Sequence, residues 1–349
     1  MSTTHSIAVI GGDGIGPEVT AEALKALRAA GAQHGISFET TDYPFGGAHW
    51  KRTGETLPSS ALDELRRHDA ILLGAVGDPT TPPGVLEQGI LLRMRFALDL
   101  YINLRPIKLL PGVRSPLRDR GPEDIDIVIV RENTQDVYIG AGGTVHEGTR
   151  NAVALQQVVE THFGIERCVR YAFETAQRRG GPLHLCDKAN VLTHAHGLWR
   201  RVFAEVATEY PDVKTGEVLV DAMCMYLVSQ PERFRTVVTT NMFGDIIADL
   251  GAGIAGGMGF AASANLNPGG VSMFEPVHGS APDIAGQGKA NPIAAILSAA
   301  LLLDTIGHPE AGEAIRTAVN TALGEGWIDL SPGALTTSQI GDIIVGSLA

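Results

Sequence analysis

Short runs of consecutive apolar residues alternate with longer amphipathic stretches along this 349-residue chain. The runs Ile7–Ile10, Ala70–Ala75, Ile125–Val130, Leu183–Cys186, Val218–Val220 and Val237–Thr240 read as strands. Several are apolar at successive positions, as expected where both faces of a sheet are covered. A helix is predicted over Pro17–Ala30, with Pro17 at its first position. Another begins at Asn291-Pro292, as cap and first residue, and runs to about Asp304. Strands alternating with helices predict an α/β architecture. The segment Asn267 to Asn291 breaks this rhythm, with five glycines, three prolines and few periodic apolar positions. A loop this long without structure of its own is usually functional, so the segment reads as a ligand-binding loop.

Composition narrows the classes. Hydrophobic residues make up 44% of the chain and charged residues 19%, enough for a large core. The length implies two domains or one large α/β unit. A net charge of −12 argues against nonspecific nucleic-acid binding, and 5% aromatic residues offer little for stacking on bases. Cys168, Cys186 and Cys224 form no C-x-x-C pair, so neither a zinc clamp nor a disulfide framework is indicated. The first residues lack a basic segment followed by a long apolar core. The longest apolar run, Ile293 to Leu303, is broken by Ser298 and too short for a bilayer. These features give the expectation of a cytoplasmic protein with neither membrane nor nucleic-acid partners.

Candidate chemistry is scattered along the chain. Gly11 to Glu18 follows the first strand and opens the first helix, but its glycines at 12, 14 and 16 do not form the G-x-G-x-x-G dinucleotide fingerprint. Arg95, Arg105 and Arg131 lie in or beside apolar segments, where a planar guanidinium could grip carboxylates. Spacing alone favours three unconnected surface or ion-paired arginines. Asp245 and Asp249 fall at i and i+4, so on a helix they share a face apart from an apolar stripe of Phe243, Ile246, Ile247 and Leu250. That pair suits Mg²⁺ or Mn²⁺, with Asp221 after a strand as a third ligand, or else forms a solvated acidic face. Lys188 and Tyr138 are possible proton-transfer groups. His194 and His196 read as helix-surface residues.

These separate signals resemble one family, the metal-dependent β-decarboxylating dehydrogenases that act on isocitrate, isopropylmalate, homoisocitrate and tartrate, most closely the isopropylmalate branch. The resemblance runs through GDGIGPEV at 12–19, DLYINLRP at 99–106, IVREN at 129–133, DKANV at 187–191, VDAM at 220–223, TTNMFGDIIADL at 239–250 and MFEPVHGSAPDIAGQGKANP at 273–292. It implies that Arg95, Arg105 and Arg131 hold the malate carboxylates, that Asp221, Asp245 and Asp249 hold the metal, and that Lys188 and Tyr138 move protons. Lys188 and Asp221 would reach into the site of a second subunit, making a homodimer part of the active site. Glu275, His278, Gly279, Ser280, Ala281, Asp283, Asn291 and Asn190 would bind the cofactor. Asp283 would accept hydrogen bonds from the ribose hydroxyls and repel a 2′-phosphate, favouring NAD⁺. Leu91 and Leu92 would offer an apolar wall to an isopropyl group, with Glu87 or Gln88 beside the nicotinamide.

The family pattern before the tyrosine is Gly-Gly or Glu-Gly, whereas this chain has Gln135-Asp136, placing a carboxylate and an amide near Tyr138. Arg93 could add positive charge at the pocket rim. These departures leave open another 3-substituted malate as substrate. A non-catalytic regulatory subunit would be expected to lack a metal aspartate, the lysine or the tyrosine, and all are present. The implied fold is a two-domain isopropylmalate-dehydrogenase-like α/β fold with a large mostly parallel sheet, not a Rossmann fold. A discontinuous cofactor domain would span residues 1–100 plus 253–349. Residues 101–252 would carry substrate and metal groups and the dimer interface, with Gly140–Gly143 leading into an intersubunit arm.

Overall fold

The computed structural model describes residues 3–331 and 333–348. The chain divides into two compact units. The first comprises residues 1–100, 108–122 and 252–349, and the second 101–107 and 123–251. Residues 108–122 therefore belong with the first unit, whereas the sequence boundary at 101–252 assigned them to the second.

In the first unit the strands run in the order Ile36–Asp42, Thr3–Gly12, Ala70–Ala75, Ser272–Pro276, Ala262–Leu266. All pair in parallel except the last two, which are antiparallel. This is not the doubly wound order of the dinucleotide-binding sheet. The helices Gly16–Gln33 and Ile293–Thr305 pack together and against these strands. Ala70–Ala75 and Ile7–Ile10 within Thr3–Gly12 were legible because their residues are buried in succession, whereas the polar Thr3–Ser6 extension was not. Ser272–Pro276 corrects the reading of 267–291 as a loop without structure, because all five residues are buried in a strand. Its polar side chains concealed it. Ser272 takes a hydrogen bond from the Asn267 amide (3.1 Å), and Glu275 accepts one from Asn265 Nδ2 (2.8 Å). Their partners remove the cost of burial that the sequence alone would have assigned them.

In the second unit the order is Ile102–Lys108, Asp126–Glu132, Thr236–Thr239, Leu183–Asp187, Thr215–Leu219, and the last four strands pair in parallel. Val220 does not end a strand but opens the helix Val220–Ser229, which places Asp221 in a helical first turn. Phe173, Trp199, Val237 and Leu185 are fully buried, and Phe173 stacks on Tyr210 at 5.0 Å. A separate ribbon, Gly142–Val145 with Val153–Gln156, is antiparallel and exposed at every position.

Candidate active site

In the second unit three arginine and tyrosine groups converge on the helix Asn241–Ile254. Arg131 ends the strand Asp126–Glu132 and is 1% exposed. Its Nη1 lies 2.5 Å from Asp245 Oδ1, while Nε and Nη2 donate to Asn241 Oδ1 at 3.0 and 2.8 Å. Gly244 permits this approach, since a Cβ there would lie 2.4 Å from Arg131 Cγ. The Tyr138 hydroxyl donates to Asp245 Oδ2 at 2.7 Å. Arg105 is also buried, with Nη1 3.8 Å from Asp249 Oδ1 and Nε donating to Asn103 Oδ1 at 2.7 Å. Burial pushes the Asp249 carboxyl above its ordinary value, Arg105 opposes this, and the charge of Asp245 adds to it. The two aspartates share a face as expected, but the apolar stripe is not wholly buried. Ile247 is buried while Ile246 is 49% exposed.

Lys188 and Asp221 form a second cluster in the same unit. Lys188 Nζ lies 2.5 Å from Asp221 Oδ1, and the lysine holds the Asp221 carboxyl below its ordinary range. The lysine's backbone is fixed from two sides. Asp187, fully buried, takes Nε and Nη2 of Arg200 at 2.5 and 3.0 Å and the Ala189 amide at 3.1 Å. His196 Nδ1 accepts the Lys188 amide at 2.9 Å. His196 is thus not a surface residue. It is 1% exposed, and burial pushes its imidazole below the usual value, so that it stays neutral and able to accept. His194 is exposed, as expected. Among the described residues no three histidines, cysteines or carboxylates lie close enough to hold a metal ion, so Asp221 does not join Asp245 and Asp249 within one chain.

The stretch before Tyr138 is turned into the protein. Gln135 Oε1 accepts the Thr161 amide at 2.6 Å, and its amide end fills the space a Cβ on Gly164 would occupy. Asp136 Oδ2 accepts the Met242 amide at 2.8 Å. Both residues are buried and engaged with backbone.

In the first unit the glycine-rich turn and the 275–291 segment meet. The Ile15 amide donates to Ser280 O at 2.8 Å, and a Cβ on Gly14 would lie 1.9 Å from the same oxygen. Asp13, which the sequence did not single out, is buried and accepts the amides of Gly47 (2.7 Å) and Gly77 (3.0 Å). The interrupted glycines around it were its only signal. Glu275 lies 3.7 Å from Arg95, which is buried on the helix Arg93–Ala97. His278, depressed by burial, contacts Gly279 O at 3.0 Å, and Ala281 has a φ of +38°. Asp283 and Gly279 are exposed. Asn291 Oδ1 accepts the Ile293 amide at 3.0 Å, but the helix starts at Ile293 with Pro292 in the cap position, one residue later than the expected Asn291 cap and Pro292 first residue. Asn291 also lines a cavity of about 560 Å³ with Arg114, Lys289 and Asp329. No motif marked Arg114 or Asp329, because only folding brings these distant segments together. Leu91 and Leu92 are half-buried in a π-helical turn, Glu87–Leu92, while Glu87 and Gln88 are exposed. Such turns often mark functional positions. Arg93 donates to Ser59 Oγ at 3.0 Å. Asn190, in the second unit, is exposed.

Buried arginines set against carboxylates and a tyrosine, on mostly parallel α/β units, define an enzyme acting on a small-molecule substrate. The chain belongs to the isocitrate/isopropylmalate dehydrogenase family, whose model matches residues 6–344. It is 54% identical over 349 residues to a 3-isopropylmalate dehydrogenase of Thermobifida fusca, covering 99% of this chain and 98% of that one. It is 53% identical over 352 residues to the Streptomyces coelicolor 3-isopropylmalate dehydrogenase, with both chains covered completely. Among solved structures it matches isocitrate dehydrogenase from Methylococcus capsulatus at a TM-score of 0.87 and 38% identity, covering 99% of each chain. Among the described residues no helix is long and apolar enough to cross a membrane.

Proposed function

We propose that the chain catalyses the NAD⁺-dependent oxidative decarboxylation of (2R,3S)-3-isopropylmalate to 4-methyl-2-oxopentanoate and CO₂, the dehydrogenase step of leucine biosynthesis. It acts with Mg²⁺ or Mn²⁺, as a cytoplasmic homodimer. Full-length identity above 50% to relatives bearing the isopropylmalate name carries this reading. The second unit's arginine–aspartate–tyrosine cluster supports it.

Arg95, Arg105 and Arg131 hold the two malate carboxylates, for which a guanidinium is the fitting donor. Leu91 and Leu92 face the isopropyl group, an apolar discrimination worth about 1–3 kcal/mol per methylene. Lys188 takes the proton leaving the C2 hydroxyl, and Tyr138 returns one to C3 after CO₂ departs. The His196 and Asp187 contacts hold the Lys188 backbone for that transfer.

The donor set fits a divalent metal if a second copy completes it. Asp245 and Asp249 supply carboxylate oxygen ligands one turn apart on one helix, the donor chemistry a hard divalent cation takes. Asp221, exposed beside Lys188, is placed to be offered outward. The 560 Å³ cavity at Asn291 fits the adenosine half of a dinucleotide. Asp283, which does not line that cavity, is the residue that would accept from the ribose hydroxyls and select NAD⁺. When bound, the metal would polarise the C2 oxygen and the nicotinamide would accept hydride. Glu275, His278, Gly279, Ser280, Ala281 and Asn190 complete the cofactor site. The first unit, with 253–349, serves as the cofactor domain, and the second carries substrate, metal and dimer contacts.

The exposed ribbon supports the homodimer. An isolated two-stranded ribbon is marginal in water, and this one exposes Val145, Val153 and Leu155 by 53%, 50% and 62%. The reading is tested by NADH formation with Mg²⁺ or Mn²⁺ on 3-isopropylmalate, isocitrate, homoisocitrate and tartrate, with Lys188→Ala as control. Dominant turnover of 3-isopropylmalate is expected. Strong turnover confined to another malate would replace the substrate.

A further inference from the structure

Asp136 sits in the left-handed region, uncommon for any residue but glycine though better tolerated by aspartate than by most, with a φ of +67°. Its side chain explains why it is kept. The residue is 3% exposed, and each carboxylate oxygen serves a different segment. Oδ1 accepts the Val137 amide at 2.7 Å, inside the 3-10 turn Asp136–Ile139 that carries Tyr138. Oδ2 accepts the Met242 amide at 2.8 Å, at the start of the helix that carries Asp245 and Asp249. That amide is one of the donors a helix leaves without an internal partner, and a negative charge there complements the helix dipole. The Asp136 amide is itself anchored to Val159 O at 2.9 Å. Just past this junction, the Tyr138 hydroxyl meets Asp245 Oδ2 at 2.7 Å. Glycine would adopt the same φ without strain but would leave both amides without these acceptors.

We propose that Asp136 is a positioning residue, a clamp between the Tyr138 turn and the Asn241–Ile254 helix that sets the tyrosine hydroxyl against the carboxylates of that helix. This rests on the proton-donor reading of Tyr138. The local part of the proposal does not need turnover to be tested.

The test compares Asp136→Gly, which removes both acceptors and the strain, with Asp136→Asn, which keeps one acceptor. Two readouts are taken on the full-length protein. Amide hydrogen exchange at Val137 and Met242 reports the clamp directly. Steady-state kinetics separate kcat from the KM values of substrate and dinucleotide. Asp136→Gly is expected to lose exchange protection at both amides and to lower kcat about tenfold or more, since small misplacements of reacting groups cost this much. Its KM for the dinucleotide should stay within about twofold, and Asp136→Asn should lie between the two proteins. Unchanged protection at Met242, or a glycine variant with wild-type kcat, would overturn the proposal. So would a loss of kcat matched by loss of thermal stability, with asparagine no better than glycine. If the wild type turns over no 3-substituted malate, the functional reading fails and the exchange result still decides the clamp.

Discussion

Lys188 and Asp221 are bound to each other at 2.5 Å, and no third carboxylate or imidazole completes a metal set around Asp221 among the described residues. Asp245 and Asp249 engage Arg131, Arg105 and Tyr138 instead. If the pair serves the site of a second copy, two inactive variants should rescue each other. Lys188→Ala and Asp245→Asn are each expected to be inactive as homodimers. When mixed, unfolded and refolded together, half of the dimers are mixed and each carries one intact site, so about a quarter of wild-type activity should return. Absence of rescue despite dimer exchange would place all of the groups in one chain's site.

Metal dependence should follow the same carboxylates. Exhaustive chelation is expected to abolish turnover, and Mg²⁺ or Mn²⁺ to restore it. Asp249→Asn should raise the metal concentration for half-maximal activity by about tenfold or more, because it removes one charged oxygen ligand, about 1.4 kcal/mol. Titration of activity against metal measures this, and an unchanged half-point would remove Asp249 from the ligand set.

Gly14 is a steric lock. Its φ is +58°, and any Cβ would collide with Ser280 O. Gly14→Ala should separate the glycine turn from the 280 segment and raise the Kd for NAD⁺ by about tenfold or more, while Tyr138-centred chemistry in the other unit keeps its pH profile. Isothermal titration with NAD⁺ reads the first effect directly. Wild-type affinity in the variant would show that the turn plays no part in holding the dinucleotide.

Glu160 gives a pH dependence with a definite sign. Burial, then the charges of Glu132 and Asp136, push its carboxyl from 4.5 up to about 9. The folded chain therefore holds a proton that the unfolded chain releases between these values. The carboxyl's contribution is fully present below pH 4.5 and is lost as pH rises toward 9. Glu160→Gln should lie close to the wild type near pH 5 and exceed it by up to about 4 kcal/mol at pH 8, a rise of several degrees in Tm. Parallel melting curves of the two proteins across this range would refute the assignment.

Apolar succession by itself marked Ala70–Ala75 and the buried part of the first strand, Ile7–Ile10, and Pro17 marked the start of the first helix, whereas the polar Thr3–Ser6 end of that strand was not legible. The i, i+4 spacing likewise put Asp245 and Asp249 on one helix face. Ser272–Pro276 was not legible, since a strand built on Ser272 and Glu275 becomes apolar in effect only after Asn267 and Asn265 supply hydrogen bonds. His196 was misread for the same reason. Its burial depends on accepting the Lys188 amide, a partner eight residues away. Gln135 and Asp136 looked like polar additions to the site. Only tertiary structure decided that one fills space beside Gly164 and the other caps a helix more than a hundred residues downstream. Sequence pattern records what each residue buries. Which polar groups satisfy one another is settled only when distant segments meet.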